Sequence, residues 1–259
     1  LKVIVCVKQV PDSAAAVTVE GGVVDWGDAP LVINPWDEYA VEAGLLLTEA
    51  HGGDVVALSM GPEDAKEAIK HALAMGCSEA ILVSDPALAG ADAQAAARAL
   101  AAAVEKIGDA DVVLFGRQAI DSDTGILPPQ VARALGWPAV TQVSALPAFD
   151  PDAKTFQAER TIEQGRQVVE SKLPAVISVI KDYAEPRYPS FMGIRKASRA
   201  EIPLWSLADL GIEAPESVVT WPELMNPPER EVTTEIIEGD SPEEIATQLA
   251  DKIIGEKVL

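Results

Sequence analysis

The chain has 259 residues, 48% of them hydrophobic, and a formal net charge of −21. That is enough apolar material for a real core and points to one large domain, or one domain with an appendage. Such acidity argues against nucleic acid and against insertion at an anionic membrane surface, since both recruit Lys and Arg.

The first residues, Lys2 to Val7 (KVIVCV), read as a buried strand. Thr18 to Asp25 reads as a hairpin turning on Gly21-Gly22. Asn34 and Pro35 have the chemistry of an N-cap and a first helical residue, and the helix they open stops at His51-Gly52-Gly53. A strand over 54–61, a helix over 62–75, a strand over 79–83, a helix over 91–107, a strand over 111–116 and a helix over 127–135 follow. Each strand is a continuous Val/Ile/Leu run, which predicts a parallel sheet covered on both faces. After Gly136 the segments 139–146, 155–162, 166–171 and 175–180 read as strands joined by short turns, a local antiparallel patch. From about Glu185 no long alternation survives. Residues 201–259 hold 14 acids and three bases, with prolines at 203, 215, 222, 227, 228 and 242. They read as an extended arm ending in a helix over 242–254, too poor in core of its own to stand alone. The expected division is residues 1–184 as an α/β domain and 185–259 as a loop followed by an arm.

Cys6 lies inside an apolar strand and Cys77 stands alone, so no disulfide framework or CxxC is present. This fits a reducing compartment, bacterial cytoplasm or, second, an organelle matrix. The first residues carry no leader pattern, and no apolar run approaches a membrane span.

In an open parallel sheet, ligands bind outside the carboxyl ends of the strands. Of the four segments leaving those ends, GRQAIDSDTGILPP (116–129) is the longest and most polar. Thr124 and Gly125 offer a hydroxyl and unhindered N–H groups near a helix start, where anions bind. Asp121 and Asp123 suit ribose hydroxyls or helix capping, because a carboxylate beside phosphate is unfavourable. Asn34 and Asp37 lie within reach of the same crevice. Ordinary helix capping accounts for the same Asp-Ser-Asp-Thr run equally well. Neither GxGxxG nor GxxxxGK[ST] occurs, and no metal or hydrolase constellation is present; His51 and His71 read as structural or solvated. From Arg187 to Arg199 there are four bases and no acid, with Phe191 and Met192 in the middle. That composition fits a docking loop or, as an alternative, a pair of core residues with a solvated charged rim.

The segments VCVKQVPD (5–12), NPWDEYAVEA (34–43), LSMGP (58–62), ALAMGCSEAI (72–81), GRQAIDSDTG (116–125), KLPAVISV (172–179) and EPRYPSFMGIRKA (185–197) occur in that order. Together they resemble the beta, or small, subunit of electron transfer flavoprotein. The resemblance implies an electron carrier rather than an enzyme with its own turnover. Its beta subunit pairs with an alpha subunit that holds most of the redox FAD. Its Rossmann-like domain binds a structural AMP, or a second FAD in bifurcating members, which also oxidise NADH. Carried over residue by residue, the nucleotide contacts are Cys6, Asn34, Pro35, Trp36, Asp37, Met60, Gln118, Ala119, Ile120, Asp121, Ser122, Asp123, Thr124, Gly125, Ile126 and Leu127.

The resemblance also implies that Arg187, Tyr188, Phe191, Met192, Ile194, Arg195 and Lys196 dock flavin dehydrogenases, such as acyl-CoA dehydrogenases, with a quinone reductase downstream. The arm would embrace the alpha subunit. Two departures stand out. Ser13 follows Asp12 where many relatives carry a bulky aromatic near the flavin, and Asp123-Thr124-Gly125-Ile126 stands where relatives with a second flavin often read DTAQ. The second difference favours AMP. A stand-alone AMP- or ATP-binding sensor of the same α/β class is the reading from outside the flavoproteins.

Overall fold

The computed structural model describes residues 1–221, 223–228 and 233–257. Of the expected arm, Pro222, 229–232 and 258–259 lie outside the described residues. In chain order the elements are β1 (Lys2–Cys6), β2 (Gln9–Pro11), β3 (Thr18–Glu20), β4 (Val23–Asp25), β5 (Leu31–Ile33), α1 (Pro35–His51), β6 (Asp54–Met60), α2 (Lys66–Met75), β7 (Glu79–Val83) and α3 (Ala93–Ile107). They continue as β8 (Val112–Gly116), α4 (Leu127–Leu135), β9 (Ala139–Asp150), β10 (Thr155–Ile162), β11 (Gly165–Lys172), β12 (Ala175–Val179), α5 (Phe191–Ala197), β13 (Leu204–Trp205), α6 (Leu207–Leu210) and α7 (Pro242–Gly255).

The main sheet has nine strands in the order β11-β10-β9-β12-β8-β1-β6-β7-β13. All neighbours from β9 to β13 run parallel, and only the β9–β10 and β10–β11 pairs are antiparallel. The central order, β7-β6-β1-β8-β12, is that of a doubly wound sheet whose chain reverses direction between β1 and β8. Successive residues of β1 alternate between two cores, as pleating requires. Val3 and Val5 pack with Ala40, Val41 and Leu45 of α1 and Ile69 of α2. Ile4 and Cys6 pack with Leu100 and Val104 of α3 and Val131 of α4. The Ala-rich face of α3 brings that helix close to the strands, with Ala95, Ala99 and Ala103 fully buried.

The sequence reading needs three corrections here. Residues 175–180 are not part of the antiparallel patch: β12 lies between β8 and β9 and runs parallel to both. Its fully buried AVISV run, flanked on both sides, is what a central strand requires. The stretch 62–75 opens with a short 3₁₀ turn, Glu63–Ala65, before α2 begins. The segment expected to be a docking loop contains a helix, α5, which begins where the Ser190 hydroxyl accepts the Gly193 N–H at 2.9 Å.

Beyond α5 the chain returns to the sheet. β13 adds to the edge of β7, the Leu82 N–H donating to the Pro203 carbonyl at 3.0 Å and the Ser84 N–H to the Trp205 carbonyl at 2.9 Å. The compact body therefore extends through Leu224, past the 184/185 division expected from sequence, and a second small unit starts at Met225. Within that unit α7 is capped by the Ser241 hydroxyl, which accepts from Glu244 N–H at 3.2 Å, and no α7 residue is buried.

Candidate functional site

The carboxyl ends of β1, β6 and β8 open into a cavity of about 410 Å³. Its floor is apolar: Cys6, Leu58, Phe115, and Ala96 and Leu100 of α3. Its rim is polar, from Lys8, Asn34, Asp37 and the loop between β8 and α4. The size falls within the range of about 300–1,000 Å³ typical of small-ligand sites.

Two buried polar side chains build this rim. Asn34 precedes α1 but makes no side-chain cap bond, contrary to the expectation from Asn-Pro. Its Nδ2 donates to the Gln118 carbonyl at 2.8 Å, and its Oδ1 accepts the Ile120 N–H at 3.2 Å. The loop between β8 and α4 is thus pinned to the start of α1. Asp37 accepts the Lys8 N–H at 2.8 Å, with further hydrogen bonds from Asn34 and the Gly116 N–H. Burial outweighs these bonds and raises the Asp37 carboxyl to about 7. Gly116 is needed for fit: a Cβ there would stand 2.4 Å from the Trp36 carbonyl oxygen and 2.6 Å from Asp37 Oδ1. Gly125 has φ +60° and permits the left-handed turn into α4.

The expected nucleotide residues divide into two groups. Cys6, Asn34, Asp37, Met60, Gln118, Ala119, Ser122, Thr124, Gly125, Ile126 and Leu127 all line the cavity. Pro35, Trp36, Ile120, Asp121 and Asp123 do not. Trp36 stacks outward, under the Arg117 guanidinium at 5.7 Å and beside Tyr39. Asp121 holds the Lys8 ammonium at 2.6 Å, and Asp123 bonds the Gln118 amide, so both carboxylates serve the loop itself. Burial pushes the Cys6 thiol well above its usual range, so it sits in the floor as a small apolar group.

The expected site residues left out Lys8, Gln130, Val218, Val219 and Trp221, all of which line the cavity. Lys8 was legible, since it directly follows the first strand. Gln130 carries a buried Oε1 with no hydrogen-bond partner among the described residues. The 218–221 segment left no local signal, because it reaches the site through Asp92. The Asp92 carboxylate lies below its usual range, first through the Ala95 N–H and also through those of Val219 and Val218.

An adenylate fits these residues. The apolar floor suits a base, the unpaired Gln130 oxygen suits an exocyclic amino donor, and the Thr124 hydroxyl with the N–H groups just ahead of α4 suits a phosphate. A second cavity of about 740 Å³ lies beside the first and shares Lys8, Met60 and Ala91 with it. Among the described residues no cluster of His, Cys, Asp and Glu is arranged to hold a metal.

The residues expected to dock a partner form a separate surface. Tyr188 is 90% exposed and Phe191 81%, with Met192 and Ile194 also exposed, so these are not core residues of this chain. Arg195 and Lys196 are exposed beside them. Arg187 is turned inward instead. It binds both oxygens of the buried Glu42, Nε to Oε2 at 2.8 Å and a terminal nitrogen to Oε1 at 2.9 Å, and it also pairs with Glu49 at 2.6 Å. Those hydrogen bonds, Glu42's first, raise its pKa further. Arg187 positions the segment rather than meeting a partner. Gly193 seats α5 on α2, since a Cβ there would stand 2.2 Å from the Ala74 carbonyl oxygen.

Fold and crevice define a doubly wound α/β protein with a ligand-sized cavity at its switch point. Residues 22–210 match the electron transfer flavoprotein domain, and the chain belongs to that family. It is 36% identical to the electron transfer flavoprotein subunit beta of Megasphaera elsdenii over the full length of both chains. It is 38% identical to the protein FixA of Azorhizobium caulinodans, covering 82% of this chain and 78% of that one. It is also 37% identical to the caffeyl-CoA reductase-Etf complex subunit CarD of Acetobacterium woodii, covering 84% and 82%. No helix among the described residues is long and apolar enough to cross a membrane.

Proposed function

We propose that the chain is the beta subunit of a heterodimeric electron transfer flavoprotein. It holds an adenine nucleotide in the 410 Å³ crevice and carries electrons, together with a flavin-bearing alpha subunit, from dehydrogenases to a quinone reductase. The observation that carries this reading is the crevice, built at the switch point from Asn34, Asp37 and the loop between β8 and α4 in a chain of this family. FAD on the heterodimer supplies the one- and two-electron chemistry. This chain's residues bind the adenylate, shape the crevice and present the docking surface. Phe191, Met192 and Ile194 on α5 offer a partner dehydrogenase an apolar anchor, with Arg195 and Lys196 steering an acidic surface toward it. The apolar residues of α7, Leu249, Ile253 and Ile254, are exposed, which suits an arm that lies on the alpha subunit.

A second reading is favoured by the adjoining 740 Å³ cavity, which leaves room for a nucleotide longer than AMP. In that case the crevice holds the adenylate half of a second FAD, and the protein bifurcates electrons from NADH. Similarity to the CarD subunit of a caffeyl-CoA reductase-Etf complex supports such an assembly. Co-expression with the alpha partner tests both. A yellow heterodimer that releases one FAD and one AMP supports the first reading, and one that releases two FADs supports the second. A pair without flavin, or one that passes no electrons from a dehydrogenase to a dye, overturns both.

A further inference from the structure

One wall of the crevice comes from the far end of the compact body. Asp92 N–H donates to Ser217 Oγ at 3.0 Å, across 125 positions of sequence. The Asp92 carboxylate divides its work. Oδ1 accepts the Ala95 N–H at 2.8 Å, the bond that caps α3. Oδ2 accepts the Val218 N–H at 2.7 Å and the Val219 N–H at 2.9 Å. Hydrogen bonds to an ionised carboxylate are roughly twice as strong as neutral ones, so this segment is held at a fixed place.

That place is the cavity. Val218, Val219 and Trp221 line it without filling it, leaving about 410 Å³ free. All three remain largely exposed, Trp221 at 74%. An indole and two valines are thus fixed beside an apolar cleft with little cover from the protein itself. A merely tethered surface loop would not need them there.

We propose that Val218, Val219 and Trp221 form a retaining wall for the bound adenylate, packing on its solvent-facing side, and that Asp92 is the residue that positions them. This rests on the adenylate reading above. The wall shields the nucleotide from water and slows its escape, and the same residues bury apolar surface against the nucleotide.

Asp92→Asn tests the idea cleanly. The amide oxygen still caps α3 through Ala95, but the amide nitrogen cannot accept from Val218 and Val219. Trp221→Ala removes the ring and leaves the clamp. Each is made in the full chain, purified with its alpha partner, and probed with AMP and with FAD for equilibrium affinity and release rate. Both variants are expected to release the nucleotide that the wild type holds roughly tenfold faster, with the thermal midpoint of Asp92→Asn little changed. Wild-type affinity and release in both variants overturns the wall and leaves the adenylate reading intact. A wild-type protein that holds neither AMP nor FAD overturns that reading, and the wall with it.

Discussion

Glu42 shows how much one buried carboxylate can decide. It lies 5% exposed on α1, and its charge is tolerable because Arg187 grips both of its oxygens. Arg187→Met leaves that carboxylate buried and unpaired, and should destabilise the chain by about 3 kcal/mol. Adding Glu42→Gln to the same chain should restore much of the loss, which denaturant melts of the single and double variants would measure. Asp37 makes a different prediction. Its folded pKa of about 7 exceeds the ordinary value of 3.8, so the folded chain keeps a proton that the unfolded chain releases. The stability from this group is fully present below about pH 4 and is lost as pH rises to about 7, by at most roughly 4 kcal/mol. Melting temperatures should therefore fall for the wild type relative to Asp37→Asn between pH 5 and 7.5. A parallel course for the two proteins would refute the assignment. At this scale residue types were legible but their partners were not. Asn34 looks like a cap and serves as a loop anchor, and Arg187 looks like a docking charge and serves as a clamp. Local sequence cannot show which distant backbone a side chain will meet.

At the scale of elements, the strands and helices of the parallel core were legible because burial on both faces leaves unbroken apolar runs and glycine or proline marks their ends. The β3–β4 hairpin was legible from Gly21-Gly22 for the same reason. α5 was not. Its seven residues are too few for periodicity, and its stability comes from the Ser190 cap and from seating on α2. That seating makes Gly193 the sensitive point. Gly193→Ala must push α5 off the Ala74 carbonyl, and it should raise the KM for the partner dehydrogenase while leaving nucleotide content unchanged. Phe191→Ala should raise the same KM by roughly thirtyfold, as expected of an aromatic hot spot, without lowering the melting temperature, because the ring covers nothing in this chain. An unchanged KM in both variants would rule out α5 as the docking element. β12 was legible as a strand but not in its pairing, since an apolar run does not say which neighbour it will take.

Over the whole molecule the charge of −21 sets the long-range field, and the exposed bases of α5 are a local exception to it. A partner drawn to Arg195 and Lys196 must approach against that field until it is within about a Debye length. Reversing both residues to Glu should slow association with an acidic dehydrogenase about tenfold at low salt, and the difference should shrink as salt is added. A salt-independent rate would mean that the contact is purely apolar. The sheet itself closes late in the chain. β13, only two residues long, covers the rim of β7 from more than 100 positions downstream. A ribosome must therefore finish almost the entire compact body before that rim is satisfied. Chains interrupted ahead of Pro203 would expose the open backbone of β7 beside Ile81 and Leu82, a ready template for self-association.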